Sequence, residues 1–161
     1  MDTEDVWLDE REQQLWRRWL RLSTELPYRL HRELQSDAAL SLPDFEVLVQ
    51  LTEAPEPRLR VSELATALAW EKSRTSHHVT RMQGRGLVAR QNCDDDARGA
   101  FVVLTPQGRR AIESAAPGHA HAVRRLLLDA LSPADAARLS AILGRVLAHL
   151  DDAGGSEASF T

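Results

Sequence analysis

Residues 61–105 read VSELATALAWEKSRTSHHVTRMQGRGLVARQNCDDDARGAFVVLT. A short helix is expected from Ser62 to about Leu68, with Leu64, Ala65 and Leu68 facing inward. A tight turn leads to a second helix from about Lys72 to Arg85, closed by Gly86 at a C-cap. Leu87–Arg90 reads as a strand and Phe101–Leu104 as its return partner. The loop between them carries Cys93, three aspartates, Arg98 and Gly99. Helix, turn, longer helix, hairpin is the order a winged helix-turn-helix needs to set one helix in a DNA groove with a hairpin beside it.

At 100° per residue the second helix has two faces. Thr75, Val79, Met82 and Gly86 fall on one side and face the core. Ser73, His77, Thr80 and Gly84 fall on the other, flanked by Arg74, Ser76 and Arg81. Short polar groups with cationic edges can approach base edges closely. Arg74 can grip guanine O6 and N7 in a bidentate pair, and Ser73, Ser76, His77, Thr80 and Arg81 are candidates for bases or phosphates. A solvated surface helix looks similar; coupling to the preceding helix and the hairpin favours DNA. In the wing, Arg98 is the candidate for the narrow minor groove, with Asp96 spaced to orient its guanidinium. Asp94 and Asp95 would repel phosphate and are expected to point away.

Outward from this head, the first helix is expected from about Asp9 to Gln35, with a stripe at Leu15, Trp19, Leu22, Leu26 and Leu30 and a kink at Pro27. Ser41 with Asp44 three residues on is a capping box opening a second helix, lined by Phe45, Leu48, Val49 and Thr52. Leu59–Arg60 is a possible short strand. Thr105-Pro106 and Ser132-Pro133 are helix starts. The helix after Thr105 is expected to reach Leu131, bent or broken at Pro117-Gly118. The last helix carries Leu139, Ile142, Leu143, Val146, Leu147 and Leu150. The fold class is therefore mainly α with a small β-hairpin wing, between long N- and C-terminal helices. The expected division is an N-terminal dimerisation helix at 1–40, a winged helix-turn-helix at 41–110, C-terminal dimerisation helices at 111–152 and a disordered tail at 153–161. The terminal stripes pack either on one another or on a second copy; two-fold symmetry, which paired half-sites require, favours a homodimer.

The net charge of −4 is unevenly spread. From Pro57 to Arg110, ten basic residues oppose five acidic ones, leaving +5 there and −9 elsewhere. A basic middle within acidic flanks suits a protein that turns one face to phosphate. No apolar run approaches a membrane span, and the acidic start MDTEDVWLDE is unlike a signal peptide, so a cytoplasmic location is expected. A single cysteine excludes an internal disulfide. No phosphate loop, nucleophile elbow or HExxH occurs, so no catalytic residue, metal ligand or cofactor is assigned.

Trp19 reads as core and Trp70 as packing for the turn. Trp16, with Arg17 or His31 on the same helix, is a candidate lining for an aromatic acid. Cys93 at the wing base offers a thiol redox reading, blunted by the neighbouring acids, which raise a thiol's pKa. His77-His78 point about 100° apart and chelate poorly, and His119 and His121 are expected to face solvent.

SELATAL, KSRTSHHVTRMQGRGLV and DARGAFVVLTPQG resemble the MarR family of bacterial transcriptional regulators. The resemblance covers the reading head closely, and the flanking helices fit in length and order. Its wing keeps Asp96 and Arg98 but has Ala97 where the family commonly has a second Arg. The resemblance implies a homodimer on a palindromic operator, and repression relieved by a small ligand, often a phenolic or other aromatic acid. The expected partners are thus double-stranded DNA, a second copy and a small effector. The competing reading is a winged helix that binds protein.

Overall fold

The computed structural model describes residues 7–93 and 96–157, with side chains over 7–91 and 100–153. In order come α1 (Glu10–Ala38), α2 (Leu42–Glu53), β1 (Arg58–Arg60), α3 (Val61–Ala67), α4 (Lys72–Gly84), β2 (Val88–Cys93), β3 (Asp96–Leu104), α5 (Pro106–Leu126), a 3-10 turn (Leu128–Ala130) and α6 (Pro133–Glu157). The chain divides into two compact units, Met1–Ala122 and Val123–Thr161.

Local chemistry sets most boundaries. Asp9 caps α1: its carboxylate accepts from the Glu12 N–H at 2.8 Å. Ser41 and Asp44 form the expected capping box on α2, at 3.1 and 2.9 Å. Thr105 Oγ1 accepts from the Gly108 N–H at 2.9 Å and so starts α5. Ser132 Oγ accepts from the Asp135 N–H at 3.2 Å and starts α6. Gly86 leaves α4 at φ +72°, a backbone region that favours glycine, and lets Leu87 N–H reach the Met82 carbonyl at 3.1 Å.

Neither proline interrupts its helix. α1 continues through Pro27 and α5 through Pro117. A proline costs a helix about 3 kcal/mol or more through its missing N–H and its ring clash. Burial on both sides of Pro117, at Ile112, Ala115 and Ala122, offsets that in α5. The helix does end short of Leu131, passing into the 3-10 turn. At the other end, α6 runs on through Glu157, where a tail was expected from 153. Gly154 and Gly155 cost helix about 1 kcal/mol each without forbidding it.

The strands form an antiparallel sheet in the order β1-β3-β2. The hairpin thus gains a third strand, with Arg58 opposite Val103 and Arg60 opposite Phe101. β2 pairs β3 from Val88–Leu104 out to Cys93–Asp96, with an irregularity between Asn92 and Cys93.

The core of the first unit draws on all its helices and the sheet. Leu34, Leu40, Phe45, Val47, Leu48, Leu51, Leu64, Val79, Met82, Leu87, Val88, Val102, Leu104, Ile112 and Ala115 are buried together. At roughly 1.5–3 kcal/mol per large apolar side chain, this cluster is what fixes α4 and the sheet in one arrangement. Of the α1 stripe, only Leu30 is buried; Leu26 is half-buried, and Leu15, Trp19 and Leu22 lie open. Trp19, expected in the core, is 47% exposed, because nothing among the described residues covers it. On α6, Ile142, Leu143, Val146, Leu147 and Leu150 are exposed as well.

Candidate nucleic-acid interface

α3 and α4 are joined by a four-residue turn in which Ala69 takes φ 50°. Trp70 N–H donates to the Ala65 carbonyl at 2.9 Å, tying the turn back onto α3. The Trp70 ring packs on the core and stands edge-on to His78, with centroids 5.4 Å apart. Its role is the packing one expected.

On α4, Thr75, His78, Val79 and Met82 are buried. Ser73, Arg74, His77, Thr80 and Arg81 are exposed, and Ser76 is half-buried. Their carrier helix is held from beneath by three apolar or hydroxyl side chains at 0% exposure, so the outward row is presented on a rigid element. Arg74 lies over the Trp70 ring at 4.3 Å, a cation–π contact that limits its freedom while leaving its edge donors outward.

Ser76 and Thr80 are less free than the helical wheel implies. Arg90 Nη2, reaching across from β2, donates to the Ser76 carbonyl at 2.9 Å, to Ser76 Oγ at 3.0 Å and to Thr80 Oγ1 at 3.2 Å. Thr80 Oγ1 itself donates to the Ser76 carbonyl at 3.0 Å. One guanidinium thus clamps the wing strand to α4 and sits within the outward polar row. Arg90 was not among the expected site residues. The signal for it was strand alternation: Arg90 shares a strand face with buried Val88, hence faces α4.

Beneath the row lies a second group that sequence reasoning missed. Asp44 is 3% exposed and His78 7%. Asp44 Oδ2 accepts from Arg85 Nη1 at 2.7 Å, and Oδ1 lies 3.0 Å from His78 Nε2. That second approach is off the ring's N–H axis, so it acts as an electrostatic contact more than an aligned hydrogen bond. Arg81 Nη2 donates to His78 Nδ1 at 2.9 Å, which places the ring proton on Nε2, facing Asp44. Burial pushes the Asp44 carboxyl up, but His78, the Ser41 N–H, Arg85 and the Ser41 hydroxyl together hold it well below the usual carboxylate range. Nearby Glu46 is pushed up by burial, against the pull of Arg74 and His78.

A pH prediction follows from Asp44. Its folded pKa is below its unfolded one, so its stabilisation is full above about pH 4 and is lost as pH falls further. Asp44→Asn should therefore cost about 3 kcal/mol at pH 7, with the gap to wild type narrowing on acidification. Urea unfolding at pH 7 and pH 3.5 measures this; a gap that stays constant would contradict it.

The expected ligand residues separate into two places. Trp16 and Arg17 border an open cleft of about 420 Å³ with Trp7, Leu8 and Gln13. Arg17 Nη2 donates to Gln13 Oε1 at 3.2 Å. His31 lies roughly 22 Å along α1 from Trp16, at 1.5 Å per residue. There its Nδ1 accepts from the Leu42 N–H at 3.2 Å. His31 borders another cleft, of about 450 Å³, shared with Gln35, Ser41, Arg74, Arg81 and Arg85 among others. Asp96 and Arg98 lie on β3, but their side chains, like that of Cys93, are outside the described residues. His119, expected in solvent, is half-buried with its ring 4.3 Å from that of Phe45, and burial pushes its pKa down. Among the described residues no three His, Cys, Asp or Glu side chains are grouped as a metal site needs, and no helix is long and apolar enough to cross a membrane.

Residues 40–99, the segment that holds α2, α3, α4 and β2, match the MarR family. Over the full fold the chain is similar to AbsC of Streptomyces coelicolor, a MarR family transcriptional regulator. It is 41% identical to it, with a TM-score of 0.83 across 91% of this chain and 98% of that one. The chain belongs to the MarR family of transcriptional regulators. Sco3205 of Streptomyces coelicolor, a MarR family regulator solved in complex with DNA, is 39% identical with a TM-score of 0.82, over 88% of this chain and 89% of that one. Bordetella bronchiseptica BpsR, 22% identical with a TM-score of 0.72 over 83% and 98%, shares the fold. No curated protein sequence matches the chain. Within the MarR fold as this chain builds it, α3 and α4 are the helix-turn-helix pair and β2–β3 the wing.

Proposed function

We propose that this chain is a homodimeric, sequence-specific DNA-binding repressor of the cytoplasm that sets α4 in a major groove and its wing in the adjacent minor groove. One observation carries the reading. Ser73, Arg74, His77, Thr80 and Arg81 form an exposed polar and cationic row, while Thr75, Val79 and Met82 of the same helix are fully buried. A protein-docking face would present Leu or aromatic side chains there instead. The DNA complex of the 39% identical Sco3205 supports the same use of the same fold. The uncovered apolar faces of α1 and α6 support a second copy as the cover, and a symmetric pair reads a palindromic operator.

Binding to duplex DNA from upstream of its own gene, followed by gel shift at low salt, tests this directly. A shift that survives competitor DNA is expected; none anywhere in that region would contradict the reading. Arg98→Ala should weaken binding to all sequences alike and lower the salt slope by about 1, with the fold intact. Fluorescence anisotropy at several salt concentrations checks it, and an unchanged slope would mean that Arg98 touches no phosphate.

Release by a small anionic ligand is part of this proposal. BpsR is described as having its DNA binding regulated by 6-hydroxynicotinic acid. In this chain the cleft at His31, with Arg74, Arg81 and Arg85, is the better seat for an acid, since its cations border α4. Trp16 and Arg17 offer a more open seat for a planar acid. A thermal-shift screen of aromatic acids with and without operator separates effectors from bystanders: an effector's stabilisation shrinks when DNA is present.

A further inference from the structure

A dimer reads half-site spacing only if each reading helix is fixed relative to the helix that pairs the subunits. Apolar packing between α1 and the core, through Leu30 and Leu34, is driven by a non-directional effect. A directional link exists beside it. α1 ends at Ala38, and Ala39 follows in the left-handed region at φ 53°. The Ala39 carbonyl accepts from Arg85 Nη2 at 2.6 Å. The same guanidinium donates through Nη1 to Asp44 at 2.7 Å. Arg85 is the residue that caps α4, and Asp44 also touches His78 about two turns back along that helix.

The end of α1, the start of α2 and the end of α4 therefore meet at one carboxylate and one guanidinium. Capping α2 requires only one oxygen of Asp44. Its contacts to Arg85 and His78 are additional and reach across the fold. Charge-assisted pairs of this kind fix geometry as well as energy. Arg85 lies on the open side of the pair, its side chain 45% exposed, so it can be changed without opening the core.

We propose that Asp44 and Arg85 are positioning residues: they lock α4 to the end of α1 and so set the half-site spacing that the protein accepts. The proposal rests on the homodimer reading. Neither residue needs to touch DNA for this role.

The test uses the full chain. Wild type selects an operator from a random duplex pool, and that duplex is remade with its half-sites one base pair closer and one base pair farther apart. Wild type should prefer its own spacing by about tenfold or more. Arg85→Gln and Asp44→Asn should weaken on the native spacing but not on the offset ones, narrowing the preference to about threefold or less. Arg85→Gln carries the test if Asp44→Asn does not fold. A uniform fall at all three spacings for Arg85→Gln would make Arg85 a phosphate contact and overturn the proposal, as would full spacing preference in both variants. Sedimentation separates the two readings. A dimeric wild type with these negative results overturns this proposal alone; a monomeric wild type that selects a single half-site overturns both.

Discussion

Glutamate at both Leu143 and Leu147 should yield a folded monomer whose affinity for a two-half-site operator falls by about a hundredfold or more. The two side chains are 37% and 61% exposed in the single chain, so charging them opens no cavity and buries no charge within it. They belong to a stripe with Ile142, Val146 and Leu150 that a soluble monomer would have no reason to leave bare. In a dimer, however, each introduced carboxylate would be desolvated without a partner, which is strongly unfavourable. Losing the pairing removes the second half-site as an intramolecular event, and with it the gain from effective concentration. Sedimentation gives the mass and circular dichroism the helix content. A variant that stays dimeric, or a monomer that keeps wild-type operator affinity, would show that α6 is not the pairing surface.

The second large effect divides α4 into its two faces. Met82→Ala removes a side chain at 0% exposure from the centre of the core and should cost about 2–5 kcal/mol of stability. His77→Ala, on the opposite face, should leave stability within about 0.5 kcal/mol. Its effect should fall on operator affinity instead, by about 1–3 kcal/mol if His77 reads a base. Measured together, urea unfolding and operator titration should give opposite rankings of the two variants. A His77→Ala protein that binds as wild type, with Met82→Ala also unperturbed in stability, would mean that the helix is turned otherwise.

Much of this was legible because the signals are local. Ser41, Thr105 and Ser132 act on donors within three residues, and Thr75, Val79 and Met82 follow from the helical period alone. What could not be read was long-range. Asp44 and Arg85 are 41 positions apart, and nothing in Asp44's neighbourhood distinguishes a cap from a buried hub. Strand alternation shows which face Arg90 takes, but its partners lie on another element and could not be read. The α1 stripe exposes a different limit. Periodicity shows that Leu15, Trp19 and Leu22 share a face, but says nothing of whether the chain itself covers that face. Trp16 and His31 share a helix, which made them look like neighbours, yet they border separate clefts.

Selection from a random duplex pool, with wild type and Arg74→Ala side by side, tests the central claim most directly. Wild type should enrich an inverted repeat whose half-sites lie one helical turn, or a multiple of it, apart. Arg74→Ala should lose preference at one base pair in each half-site and keep the rest. Wild type that enriches no sequence at low salt, or an Arg74→Ala selection identical to it, would contradict the assignment of α4 as the helix that reads DNA.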